Sequence, residues 1–201
     1  SLPKLSEKNL AKLFIMGPSR SGKSLLEHIL AENSQIKTLR EIIKHNELLK
    51  NEGFKKNASE LLFQKLFSQS EGNLFDEGYK IVTSTNPGSI FYSDYLLDML
   101  PSAYFIIIKR DPLDISPEIF TSEYNMENFY SYDVNEIKKY LDVYYQVFET
   151  LVLTVPDRCL SVSFKDIVQS PEDVVARISR LVGIGLRIGD FTQNLANFEY
   201  E

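Results

Sequence analysis

LFIMGPSRSGKSLLEHI, residues 13–29, holds three signals in immediate succession. Leu13 to Met16 form a short apolar run suited to a buried strand. Gly17 to Ser24 satisfy G-x-x-x-x-G-K-[ST], a loop pattern that cradles phosphate. Leu25, Leu26 and Ile29 then recur on one side of a helix. A strand that delivers such a turn to a helix N-terminus gathers backbone N–H groups and partial positive charge, and so holds a phosphate or sulfate. Gly22 lets the backbone approach the anion, Lys23 brings a point charge and Ser24 a hydroxyl for a phosphate or a metal. Arg20 adds a guanidinium that a kinase-type loop does not require.

Outward from this stretch, strand and helix patterns alternate. Residues 1–12 read as a polar lead-in or a short helix. Thr38–Asn51 carries Leu39, Ile42, Ile43, Leu48 and Leu49 at helical spacing, and a further helix opens at Asn57 or Ser59 and runs to Gln69. Tyr79–Ser84 reads as a strand broken by Asn86-Pro87-Gly88, and Ile90–Leu100 as a helix closed by Pro101. Ala103–Ile108, AYFIII, is continuously apolar, as a central parallel strand should be. Ser116-Pro117-Glu118 has the chemistry of a helix start, with serine as cap and proline in the first turn. Asp133 and Glu136 open the longest helix, which runs to Val155 with Ile137, Leu141, Tyr144, Tyr145, Phe148 and Leu151 on its buried face. Cys159–Phe164 is a fourth strand, and Ser170-Pro171 opens a last helix ending near Gly183. The alternation predicts an α/β fold of three layers. A central, mostly parallel sheet is flanked by helices in a P-loop NTPase-like arrangement, with ligands outside the carboxyl ends of the strands.

A chain of 201 residues fits one domain, 1–201, and it opens at Ser1 without methionine, as an excised domain would. Its 43% hydrophobic and 25% charged content are ordinary for a globular protein. A net charge of −6 argues against a general nucleic-acid or anionic-membrane surface but permits a local basic pocket. No apolar run is long enough to span a bilayer. The N-terminus lacks a signal-peptide core, and the single cysteine, Cys159, reads as a buried inert thiol; both favour a cytoplasmic location. His28 and His45 stand alone as helix-surface histidines, so no transition-metal site is expected.

Two strand ends carry candidate chemistry: Gly17–Ser24, and Lys109-Arg110-Asp111 after AYFIII. A nucleotide hydrolase or kinase needs an apolar strand ending in Asp or Glu to organise Mg²⁺. Here the strongest strand ends in two cations instead, which suits an anionic ligand. In their order along the chain, these elements resemble the sulfotransferases that use 3′-phosphoadenosine 5′-phosphosulfate, in particular the branch of protein-tyrosine sulfotransferases and bacterial sulfotransferase domains. Ser19-Arg20-Ser21-Gly22-Lys23-Ser24-Leu25 is similar to that family's P-R-S-G-T-T-L. FIIIKRDPLDIS, Phe105–Ser116, is similar to its apolar strand followed by R-D-P-x-D. PDRCLSVSFKDIVQSPEDVVARISRLVGI, Pro156–Ile184, matches a third stretch more loosely.

The resemblance implies that Ser19, Arg20, Ser21, Gly22, Lys23 and Ser24 hold the 5′-phosphosulfate, while Arg110 holds the 3′-phosphate. It implies in-line transfer to a hydroxyl or amine of a small-molecule, glycan or protein acceptor, with no metal required and 3′,5′-ADP as product. Arg20 and Lys23 would stabilise the leaving phosphate, and Glu41 would take the acceptor's proton. The chain also departs from the family pattern. Glu118 stands where a serine is expected, and a carboxylate there would repel a 3′-phosphate unless it points away. Ser116, two residues earlier, is the substitute. Thr85 replaces a lysine, whose charge Lys23 would supply from the other side. The closing C-terminal segment is not recognisable in Arg187–Glu201. Two alternatives therefore stand beside the enzyme: a degenerate, non-catalytic module of the same fold, and an ATP- or GTP-dependent kinase resting on the loop pattern alone.

Overall fold

The computed structural model of the chain describes residues 10–39, 74, 76–100, 102–124 and 128–186. From residue 40 on, the two helices expected within 38–69, Glu41 and His45 among their residues, lie outside these, as does the tail from residue 187. Five strands, β1 (Ala11–Met16), β2 (Ile36–Thr38), β3 (Ile81–Ser84), β4 (Ala103–Lys109) and β5 (Cys159–Ser163), form one sheet in the order β2-β3-β1-β4-β5. Every pairing is parallel. The chain moves from β1 out to β2 and β3 on one side, then crosses to β4 and β5 on the other. The order thus reverses between β1 and β4, where such sheets open a crevice at their carboxyl edge. The loops after these two strands are the two cationic stretches.

Alternation along the strands sorts the core into layers. On one face Leu13, Ile15, Ile81, Tyr104, Ile106 and Ile108 meet Leu26, Ile29 and Leu30 of α1 (Lys23–Ala31) and Val174, Val175 and Ile178 from a helix further on. On the other, Phe14, Met16, Val82, Phe105 and Ile107 meet Tyr144, Phe148 and Leu151. Phe14 and Phe105 stack across β1 and β4 with centroids 5.7 Å apart. Each such side chain, fully buried, contributes about 1.5–3 kcal/mol, so both faces are needed. A smaller cluster of Ile115, Ile119, Ile137 and Leu141 joins the two helices beside the second face.

The remaining helices are α2 (Ser93–Met99), α3 (Pro112–Thr121), α4 (Val134–Thr154), α5 (Phe164–Gln169) and α6 (Pro171–Val182). α4 starts where its cap predicts: the Asp133 side chain accepts from the Asn135 and Glu136 N–H groups at 2.7 and 3.1 Å. α6 ends at Gly183, whose φ of 69° is the left-handed stop that glycine adopts without strain. Three expectations need correction. α3 begins at Pro112, not at Ser116, because Asp111 caps it by accepting from Leu113 N–H at 2.8 Å; Pro117 lies inside the helix. The helix expected from Ile90 is preceded by a 3₁₀ turn over Pro87–Tyr92, because Asn86 accepts from Gly88 N–H at 2.8 Å and Pro87 takes the first position. Strand β2 was hidden by its three-residue length, and Thr38 ends it instead of opening a helix. Among the described residues no helix is long and apolar enough to cross a membrane.

Candidate active site

The loop after β1 is held from both sides. Gly17 N–H donates to the Tyr144 hydroxyl at 3.2 Å, and that hydroxyl donates in turn to the Pro87 carbonyl at 2.8 Å. One buried tyrosine on α4 thus ties the phosphate loop to the turn after β3. Burial pushes its ionisation well above the usual tyrosine range, so it stays a neutral hydroxyl that serves as acceptor and donor together. Gly17 has no room for a side chain, since a Cβ there would press on Ser21 and on the Lys23 stem. Gly22 caps α1 at φ 99°, and a Cβ there would overlap the Phe164 ring. Arg20 also adopts a left-handed backbone, φ 62°, which a non-glycine residue holds only at a cost of about 1–2 kcal/mol.

Lys23 is 7% exposed, and its ammonium donates to the Pro18 carbonyl at 2.7 Å, across the mouth of its own loop. Ser19 Oγ and Tyr124 Oη lie 2.7 Å apart, and Arg20 Nε donates to Ser122 Oγ at 2.9 Å. The segment after α3 therefore pins the outer side of the loop. Ser21 Oγ is buried and makes no hydrogen bond, an uncommon state for a hydroxyl and one that an oxyanion in the loop would relieve. Ser24 is exposed at the first turn of α1. These residues fit a phosphate-type group.

Arg110 follows β4 and reaches the same loop: Nη1 donates to the Arg20 carbonyl at 2.6 Å. Its guanidinium lies over the Phe164 ring, 4.3 Å from the centroid, and its own carbonyl accepts from the Tyr145 hydroxyl at 2.6 Å. Phe164 thus packs between Gly22 and Arg110. The two cationic stretches, 90 residues apart in sequence, form one continuous wall. Arg110 is already engaged by another anion, however. Glu118 Oε2 accepts from Nη1 at 3.1 Å and Oε1 from Nη2, while Nε is buried with no hydrogen bond. Ser116 turns its hydroxyl back onto its own helix, to the Pro112 carbonyl at 2.6 Å. An open pocket of about 470 Å³ adjoins Arg110, lined by Lys109, Asp111, Pro112, Tyr145, Glu149 and Ser163.

Thr85 and Asn86 are buried just beyond β3. Tyr130 and Tyr140 stack at 4.0 Å, and burial pushes the Tyr130 hydroxyl up to about 12. Burial likewise pushes the half-buried Cys159 thiol up to about 12, which leaves it protonated and unreactive at neutral pH. Among the described residues no cluster of three His, Cys, Asp or Glu side chains is placed to hold a metal ion. Sequence reasoning did not single out Phe164, Ser122 or Tyr124 as site residues. No motif marks them; only their positions after β5 and α3 bring them to the loop.

A model described as the sulfotransferase family matches residues 12–187. An omega-hydroxy-beta-dihydromenaquinone-9 sulfotransferase of Mycobacterium tuberculosis is 28% identical over 114 residues, 53% of this chain and 29% of that protein. A Mycobacterium bovis protein of the same name matches equally. The matched stretch spans less than a third of the length of these curated relatives. Among solved structures, a sulfotransferase from Alicyclobacillus acidocaldarius superposes with a TM-score of 0.61 at 16% identity, over 96% of this chain and 87% of that one. A sulfotransferase domain from the curacin biosynthetic pathway gives 0.59 at 15% identity, over 90% and 76%. At such identities the structural likeness speaks for the fold.

Proposed function

This chain belongs to the sulfotransferase family, and from that premise we propose that it transfers a sulfuryl group from 3′-phosphoadenosine 5′-phosphosulfate to a hydroxyl or amine of a small-molecule, glycan or protein acceptor. When bound, the donor supplies an activated sulfuryl group on a phosphate leaving group. Ser19 to Ser24 bind the phosphosulfate end, with the α1 N-terminus directed at the negative charge. Lys23 and Arg20 balance the charge that grows on the leaving oxygen. Arg110 takes the 3′-phosphate, for which a planar guanidinium is suited. Glu41 is the candidate general base, to be tested by mutation because it lies outside the described residues. The observation that supports this reading best is the hydrogen bond from Arg110 Nη1 to the Arg20 carbonyl, which joins the two cationic stretches beside the β1/β4 switch point.

The test is titration calorimetry with 3′,5′-ADP in the absence of Mg²⁺, followed by a transfer assay with labelled donor. Binding with transfer supports the enzyme; no binding of 3′,5′-ADP refutes the donor assignment. The Arg110–Glu118 pair and Thr85 favour a second reading, a degenerate module of the same fold. Weak or absent binding of 3′,5′-ADP, with no transfer to any acceptor class, is what that reading expects.

A further inference from the structure

Arg110 and Glu118 are unequal partners. The Arg110 side chain is only 12% exposed and is fixed by strand β4, by the Phe164 ring and by the Arg20 carbonyl, none of which depends on Glu118. The Glu118 side chain is 43% exposed, on a helix two turns from its N-terminus, and can leave the pair for solvent by rotation of its own χ angles. Their pairing is also incomplete: both carboxylate oxygens engage the terminal nitrogens, and Nε remains buried without a hydrogen bond. A buried cation with a fixed position and a replaceable anion has the form of an anion site occupied by the protein's own carboxylate.

We propose that Glu118 sets the specificity at this end of the site, by holding the Arg110 fork in place of the ligand's second phosphate. The proposal rests on the reading of Arg110 as the 3′-phosphate anchor. A 3′-phosphorylated nucleotide must displace the carboxylate and then bind beside it, and the like charges oppose each other at short range. The gain from the extra phosphate is therefore largely cancelled. A nucleotide with a 3′-hydroxyl leaves the pair intact and meets no such opposition. At the 5′ end the Lys23 ammonium is held by the Pro18 carbonyl within its own loop.

Titration calorimetry of the whole chain with 3′,5′-ADP and 5′-AMP, for the wild type, Glu118→Gln and Glu118→Ala, tests this. Gln keeps the shape and loses the charge, whereas Ala removes the occupant altogether. Both variants should raise the preference for 3′,5′-ADP over 5′-AMP about tenfold, with the affinity for 5′-AMP unchanged. If both nucleotides bind and the preference stays at its wild-type value in both variants, the role of Glu118 is refuted while the donor reading survives. If neither nucleotide binds to any of the three proteins, the donor reading itself is refuted, and the assignment of Glu118 goes with it.

Discussion

At the Gly17–Ser24 end of the site the anion-binding features belong to the backbone: a glycine without room for a Cβ, a loop in left-handed turns, and a helix that starts where the loop stops. At the Arg110 end they belong to two side chains, one fixed and one movable, which already pair with each other. The first end is written in consecutive residues and is ready for a ligand of fixed chemistry. The second is assembled across the sheet, so one substitution can retune it without disturbing the fold. Phe164 joins them, packed between Gly22 and the Arg110 guanidinium.

The comparison breaks most severely at Gly22. Gly22→Val forces a branched side chain into a positive φ and against the Phe164 ring. It should cost about 3 kcal/mol and abolish nucleotide binding at both ends, as read from urea denaturation and calorimetry. A variant that binds normally would show that the loop needs neither the turn nor the ring. Tyr144→Phe removes one hydroxyl from the loop end and leaves the Gly17 N–H and the Pro87 carbonyl without their shared partner. Stability should fall by about 2 kcal/mol, with affinity for 5′-AMP reduced and the preference at the 3′ position unaltered. An altered 3′ preference would mean that the two ends are coupled through α4.

Arg110→Ala sharpens the contrast from the other side. It should lower the preference for 3′,5′-ADP over 5′-AMP about tenfold, equal to about 1.4 kcal/mol, and leave 5′-AMP binding intact. Equal weakening of both ligands would place Arg110 in support of the loop, not of the 3′ position. Asp133→Ala is the control. Loss of the α4 cap should cost about 1 kcal/mol in thermal denaturation and change no nucleotide preference.

The fold is largely legible in the sequence. AYFIII and LFIM announced central parallel strands because their burial on both faces leaves no polar alternation. The six residues assigned to the inner face of α4 proved buried, apart from Tyr145, which is half-buried. The misplaced start of α3 has a specific source. A cap-and-proline pair, Asp111-Pro112, stands five residues before Ser116-Pro117, and both the Asp111 cap and the packing of Ile115 and Ile119 with Ile137 and Leu141 go with the earlier start.

The sequence by itself determined the Gly17–Ser24 loop, since its geometry depends on neighbours along the chain: strand, glycine turns and helix N-terminus follow one another within twelve residues. It also determined that a second cation closes the strongest strand. Tertiary structure decided what that cation does, by packing α3 against the end of β4 so that Glu118 meets Arg110. In the sequence Glu118 was a carboxylate expected to repel a ligand; in the fold it pairs with Arg110, the cation proposed to hold that ligand. Local backbone geometry is set by local sequence, whereas the pairing of two side chains depends on where the intervening helix is packed.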